Sequence, residues 1–136
     1  MIKKLSKKIQ VLLVGAKGEE FFFNDFKPFS NNTISLVGKN SIIEQSTIVK
    51  NARAVVCTDS ALGHIAAAVN TPVFVLIVVE DAPCKTSLNK VFLIRVNLPC
   101  SPCYKTFVMK ACQDNIYMKS ISTQMVLDAL SLANIT

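Results

Sequence analysis

The chain has 136 residues, a net charge of +6, and 51% hydrophobic against 18% charged residues. This balance fits one domain with its own core and excludes intrinsic disorder and collagen-like structure. The longest unbroken apolar run, residues 73–79, is far shorter than the roughly 20 residues of a membrane-spanning helix. Five cysteines without a recognised export signal argue against a disulfide framework. We therefore expect a cytoplasmic protein.

The positive charge is concentrated at the start of the chain, where Lys3, Lys4, Lys7 and Lys8 lie within eight residues. Such a cluster attracts anions in general, including phosphates, nucleic acid and a membrane face. No aromatic residue is interleaved with these lysines, which argues against a surface that stacks nucleic-acid bases. A solvated helix end is the preferred interpretation, and nucleic acid is not expected as a partner.

Apolar runs alternate with helix signals along the chain. Strands are predicted over residues 9–14, 34–37, 54–57, 73–79 and 91–96. Between and after them, helices are predicted just after residue 18, over about 41–51 and 61–69, and at the end of the chain. Strands that alternate with helices are typical of βαβ units. The sequence therefore predicts an α/β fold, a Rossmann-like open parallel sheet with helices on both faces.

Local signals refine the helices. Glu19 and Glu20 are predicted to open the first of them, where acidic residues favour the helix dipole. Ser41 and Glu44 fit a capping box, in which each side chain bonds the backbone N–H of the other. The phenylalanines at positions 21, 22, 23, 26 and 29 include helical spacings and are predicted to pack in the core.

The segment best suited to chemistry is CTDSALGH, which follows the third predicted strand and ends at His64. Ligands of open parallel sheets bind at such strand ends, often on a helix N-terminus. The small residues Ser60, Ala61 and Gly63 leave backbone amides accessible, and His64, the only histidine, falls in the first helical turn. A diphosphate fits these groups. The alternative is an ordinary helix N-cap within residues 58–60 beside a surface histidine.

Residues 58–73, TDSALGHIAAAVNTPV, resemble the D-[ST]-G-x-x-H-x-A-A-A-x-x-x-P segment of glycosyltransferase family 9, the ADP-heptose:lipopolysaccharide heptosyltransferases and their relatives. Three other segments match the family in order. They are the strand, glycine turn and acidic residue of 11–19, LVGKNS at 36–41 with Glu44, and CSPCYK at 100–105 with Cys112. The resemblance extends over nearly the whole chain.

The resemblance implies the two-domain GT-B architecture, and residues 1–136 are similar to its C-terminal half, a single domain that binds the sugar donor. The expected ligand is a nucleotide diphosphate sugar such as ADP-heptose, without a further cofactor. At matching motif positions, the family's ribose contact falls on Glu19 and its base contact near Asn40. Its diphosphate and sugar contacts fall on Asp59, Ser60, Ala61 and His64.

The family's N-terminal domain, with the acceptor site and the catalytic base, is expected to be absent from these residues. The parent reaction transfers heptose or a related sugar to a lipopolysaccharide core acceptor with inversion. A base activates the acceptor hydroxyl, while amides and cations offset charge on the leaving diphosphate. We therefore expect a fragment that is inactive alone. Its expected partners are a separate acceptor domain, the inner membrane surface through the acceptor, and further copies of itself. The alternative is a non-catalytic nucleotide-binding or interaction module.

Two departures from the family pattern concern donor affinity. Ala61 stands where the family usually has glycine, so a methyl group points toward the phosphate. Glu80 and Asp81 stand near the place of a Gly-Pro-Thr turn, and two carboxylates facing a diphosphate would repel it. Both changes predict weak donor binding.

The cysteines support a second hypothesis, a structural zinc site. Cys100, Cys103 and Cys112 could bind zinc with Cys84 as a fourth thiolate. A single C-x-x-C pair is also compatible with a rigid structural loop, because prolines at 99 and 102 restrict the backbone of this segment. A structural loop is the preferred interpretation, and no metal is expected.

Overall fold

The computed structural model describes residues 1–24, 31–77, 90–99 and 114–135, and their contacts divide into two compact units, Met1–Ile48 and Val49–Ile135. Eleven elements are formed by these residues. The helices are α1 (Ile2–Leu5), α2 (Phe21–Asn24), α3 (Ile42–Lys50), α4 (Ala61–Ala68), α5 (Ile116–Ser120) and α6 (Thr123–Leu132). The strands are β1 (Val11–Leu13), β2 (Thr33–Ser35), β3 (Val55–Thr58), β4 (Val73–Leu76) and β5 (Val91–Ile94).

The first unit is built on a parallel pair of short strands. β1 and β2 run in register from Val11 opposite Thr33 to Leu13 opposite Ser35. The Asn32 side chain donates a hydrogen bond of 3.0 Å to the carbonyl oxygen of Ser6, which ties the end of α1 to the start of β2. Both predicted strands are therefore present, although each spans fewer residues than its apolar run.

The second unit is a three-stranded parallel sheet in the order β3, β4, β5. The side chains of residues 73–75 on the central strand are completely buried. A strand covered on both faces needs no alternation of polar and apolar residues, which explains the continuous apolar run. The α/β class with parallel strands is confirmed, and its hydrogen-bonded ladders form two sheets, one in each unit.

Helices cover both faces of this sheet. On one face, Ala66 of α4 packs in a cluster of buried aliphatic side chains with Val55 and Val75. Phe74 points to the opposite face, where its ring stacks on Phe92 with 4.8 Å between centroids. The helix α6 contacts β4 and β5 and has its own buried side chains, Val126 and Leu130.

The prediction of core packing is wrong for two phenylalanines. Phe21 and Phe22 are 60% and 59% exposed, and their rings contact each other with centroids 3.9 Å apart. The described part of the helix that carries them, Phe21–Asn24, is too short to present a continuous apolar face. Phe26 and Phe29 lie outside the described residues.

Within the described ranges, no helix has the length and apolar character needed to cross a bilayer.

Candidate functional site

The junction of β3 and α4 carries four of the predicted site residues in one short stretch. Ser60 is the N-cap residue of α4, with extended backbone angles of φ −153° and ψ 168°. Its side chain makes no cap hydrogen bond. Asp59, Ala61 and His64 are exposed on either side of it. In the first turn, Gly63 N donates to the carbonyl oxygen of Ser60 over 3.0 Å, and the N–H groups before it are ones that a helix does not satisfy internally.

Gly63 explains how the start of α4 is held close to the sheet. The residue is buried, and a Cβ built on it would lie 3.3 Å from the Cys57 sulfur and 3.8 Å from a methyl of Val75. Only a residue without a side chain lets the helix backbone approach the strands this closely. The N-terminus of α4 is therefore fixed at the carboxyl end of β3, as the sequence predicted for a ligand-binding loop.

Glu19 lies in the loop between β1 and α2. Its Oε2 accepts a hydrogen bond of 2.7 Å from the backbone N–H of Ala16, and the neighbouring Glu20 Oε2 accepts one of 2.6 Å from that of Gly18. The prediction that these two acids open the helix is wrong, since α2 begins at Phe21. The reason is local competition: a carboxylate just after a glycine turn reaches the free amides of the turn before it reaches those of the helix.

Asn40 precedes the N-terminus of α3, where the predicted capping box is confirmed. Ser41 N donates to Glu44 Oε2 over 2.7 Å, and Glu44 N donates to Ser41 Oγ over 3.3 Å. The Ser41 backbone N–H and then its hydroxyl lower the pKa of the Glu44 carboxyl. Within the described part of the chain, the buried Oδ1 of Asn40 has no hydrogen-bond partner. Asn40 therefore keeps hydrogen-bonding capacity beside a cap that is already complete.

Two residues near Glu19 and Asn40 were missed by sequence reasoning. Glu20 packs its carboxylate against Gly38, and Gln45 places Nε2 3.5 Å from the carbonyl oxygens of both Gly15 and Asn40. The pair of acids at 19 and 20 was visible in the sequence but was interpreted as a helix start. Nothing in the spacing of Gln45 distinguishes it from an ordinary residue on the first turn of a helix.

The zinc hypothesis falls on residues outside the described ranges. Its four cysteines are Cys84, Cys100, Cys103 and Cys112. Glu80 and Asp81, which were predicted to weaken donor binding, also lie outside the described ranges. Cys57 is half-buried and forms no disulfide with a described residue. In the portion of the chain that the structure describes, no group of three His, Cys, Asp or Glu side chains is arranged to hold a metal ion.

Many proteins that bind phosphorylated ligands have a parallel α/β unit with a helix N-terminus at a strand end. Residues 2–112 match the model of glycosyltransferase family 9 (heptosyltransferase), so the chain belongs to this family.

A solved structure, that of ADP-heptose LPS heptosyltransferase II from E. coli, is similar to the chain with a TM-score of 0.70 and 22% sequence identity. The match covers 99% of this chain and 40% of that protein. At this identity the likeness establishes the fold. Comparison with curated proteins gives no significant match.

Proposed function

We propose that residues 1–136 bind the sugar donor of a glycosyltransferase, a nucleotide diphosphate sugar of the ADP-heptose kind. The observation that carries the proposal is the N-terminus of α4, which follows β3 directly and is not closed by the side chain of its own N-cap serine. Membership of family 9 supports a nucleotide-sugar ligand for it. Backbone N–H groups and the positive end of a helix dipole suit the two negative phosphates.

The proposal assigns the diphosphate and sugar to residues of the β3–α4 junction. Ser60 and Ala61 offer backbone N–H groups, and the exposed imidazole of His64 adds a side-chain donor on the first turn. Asp59 is exposed beside them and is assigned to the hydroxyls of the sugar. The Ala61 methyl reduces the room for a phosphate, so the affinity is expected near the millimolar range, about −4 kcal/mol.

The nucleoside is assigned to residues of the first unit. Glu19 uses Oε2 within its own loop, and we assign the other carboxylate oxygen, Oε1, to a ribose hydroxyl. Asn40, whose side chain is half-buried, is assigned to the base. These two assignments follow the positions of the family motifs in the sequence.

The whole reaction is proposed to transfer heptose or a related sugar to a lipopolysaccharide core acceptor, in the cytoplasm at the inner membrane. Residues 1–136 span 40% of the length of the heptosyltransferase II structure. We propose that they supply donor binding only and do not transfer sugar by themselves. Sugar transfer by the purified chain from ADP-heptose to a deacylated core acceptor would contradict this.

The second candidate function is a non-catalytic nucleotide-binding module. The alanine at position 61, in place of the usual glycine of the family motif, is the feature that favours it. A donor site gains affinity from the sugar, whereas a nucleotide-binding module does not. Affinity for ADP-heptose at least several-fold above that for ADP supports the donor site, and equal affinities support the module.

The proposed function is tested by titrating the ¹⁵N-labelled chain with ADP, UDP and GDP and following backbone amide shifts. The proposal expects ADP to shift the amides of residues 60–64 and those near Glu19 at millimolar concentrations. The double variant Lys3→Ala, Lys4→Ala is the control for general charge attraction and should bind ADP as the wild type does. Shifts confined to the N-terminal lysines would contradict the proposal.

A further inference from the structure

Glu20 contacts two loops of the first unit. One loop carries Glu19, and the other leads to Asn40. Its Oε2 accepts a 2.6 Å hydrogen bond from Gly18 N in the loop after β1. The same carboxylate packs against Gly38, in the turn after β2, so closely that a Cβ there would collide with Oε1. One side chain therefore contacts the loop of Glu19 and the turn that leads to Asn40.

Both contact points of this carboxylate have a backbone conformation that favours glycine. Gly18 and Gly38 have positive φ angles of 95° and 70°, a conformation that glycine adopts without strain. Gly38 N also donates a hydrogen bond of 3.1 Å to the carbonyl oxygen of Gly15. The turn after β2 is thus attached to the loop after β1 by one backbone hydrogen bond and by the Glu20 side chain.

Glu19 occupies the other side of the same loop. Its Oε2 accepts from Ala16 N, and a Cβ on Gly15 would lie only 2.8 Å from that oxygen. The two carboxylates therefore accept hydrogen bonds from different parts of the same loop. Glu19 fixes its first half and Glu20 fixes its second half against Gly38. The position of the Glu19 carboxylate relative to Asn40 depends on both.

We propose that Glu20 is a positioning residue for the nucleoside part of the donor, acting through Gly18 and Gly38 on Glu19 and Asn40. This inference rests on the proposed function. Glu20 needs no ligand contact for this role, because Oε2 is used by the loop and Oε1 faces the glycine turn. What the role requires is a hydrogen-bond acceptor of this length at position 20, with or without a charge.

Two matched variants separate this role from the others. Glu20→Gln keeps the length and an acceptor oxygen for Gly18 N, whereas Glu20→Met keeps the length and loses the acceptor. Both remove one negative charge, so any general gain in anion affinity is the same in the two. Each variant is titrated with ADP and, separately, with inorganic pyrophosphate, and its thermal unfolding is recorded.

We expect Glu20→Met to weaken ADP binding about five-fold, which corresponds to about 1 kcal/mol. Pyrophosphate affinity should equal that of Glu20→Gln, and Glu20→Gln should bind ADP as the wild type does. Equal ADP affinity in both variants would overturn the role, whether both bind normally or both bind weakly. A global loss of folded structure in Glu20→Met would also overturn it, by making Glu20 a residue of fold stability. Failure of the wild type to bind ADP would overturn the proposed function together with this inference.

Discussion

Two helices of the second unit begin at a serine, and only one of them is capped by it. Ser122 Oγ accepts a hydrogen bond of 3.2 Å from Met125 N at the start of α6. Ser60 occupies the same N-cap position of α4 and makes no such bond. Both serines have extended ψ values, 154° and 168°, whereas their φ angles differ, with −77° at Ser122 and −153° at Ser60.

The contrast separates a helix that is capped by its N-cap serine from one whose N-cap serine makes no cap hydrogen bond. A side-chain cap satisfies one of the N–H groups that a first turn leaves free. The α6 start is closed in this way and lies in no motif of the family. The α4 start carries the motif residues Asp59 and His64, and its serine is not used for the cap. This is the difference expected between a structural helix end and one that receives a ligand.

The largest expected effect concerns the residue that holds α4 on the sheet. Gly63→Val should lower the free energy of unfolding by about 2–3 kcal/mol, because its Cβ alone comes within 3.3 Å of the Cys57 sulfur and overpacking is costly. Ala68→Val introduces the same side chain at an exposed position of the same helix and is the matched control. Urea denaturation measures both. Equal losses in the two variants would mean that the close approach at Gly63 does not hold the helix.

The next effect tests the comparison of the serines directly. Ser122→Ala should cost about 1 kcal/mol of stability because it removes a cap, whereas Ser60→Ala should cost no more than about 0.3 kcal/mol. The same urea denaturation experiment measures both variants. If the two substitutions are equally costly, Ser60 caps α4 in solution and the contrast between the two helices is lost.

A smaller effect distinguishes the parts of the proposed ligand. His64→Ala should weaken ADP and pyrophosphate alike, by about three-fold, because it removes one exposed side-chain donor to the phosphates. Glu19→Ala should weaken ADP and leave pyrophosphate unchanged, because its proposed partner is the ribose. Amide-shift titrations with the two ligands measure this. A loss of pyrophosphate affinity in Glu19→Ala would contradict the assignment.

The smallest effect belongs to the capping box of α3, a third helix that begins at a serine. Hydrogen bonds from Ser41 lower the pKa of Glu44 below its ordinary value of 4.5 in the folded chain. Its contribution to stability is therefore present above that value and is lost as the pH falls through the lowered pKa. Glu44→Gln should differ from the wild type most near neutral pH and converge with it in acid, as followed by urea denaturation at several pH values. A constant difference from pH 7 to pH 3 would show that the charge of Glu44 does not matter.

The sequence predicted the elements that depend on local chemistry or on continuous burial. The apolar run at residues 73–79 predicted a buried strand, and S-x-x-E at 41–44 predicted a helix start, because each pattern has one dominant physical cause. The exposed Phe21 and Phe22 could not be predicted in this way, since helical spacing does not reveal which side of a helix faces a core. Leu132, the final residue of α6, is 86% exposed.

The strand–helix junction of the candidate site was predicted from the sequence, and the roles of its residues remain predictions. A loop after a strand with small residues and one histidine was sufficient to place the β3–α4 junction. Three residues of that loop were suitable N-caps, and only the backbone geometry places Ser60 there with its side chain unused. The contact of Glu20 with Gly38 joins residues 18 positions apart, which no local pattern in the sequence encodes.

We propose that α4 offers a phosphate-binding N-terminus and that α6 does not. Titration of the ¹⁵N-labelled wild-type chain with inorganic pyrophosphate tests this in one experiment, because both helices report in the same spectra. We expect saturable shifts of the amides of residues 60–64 and none at residues 122–125. Equal shifts at the two helices, or shifts at neither, would contradict it.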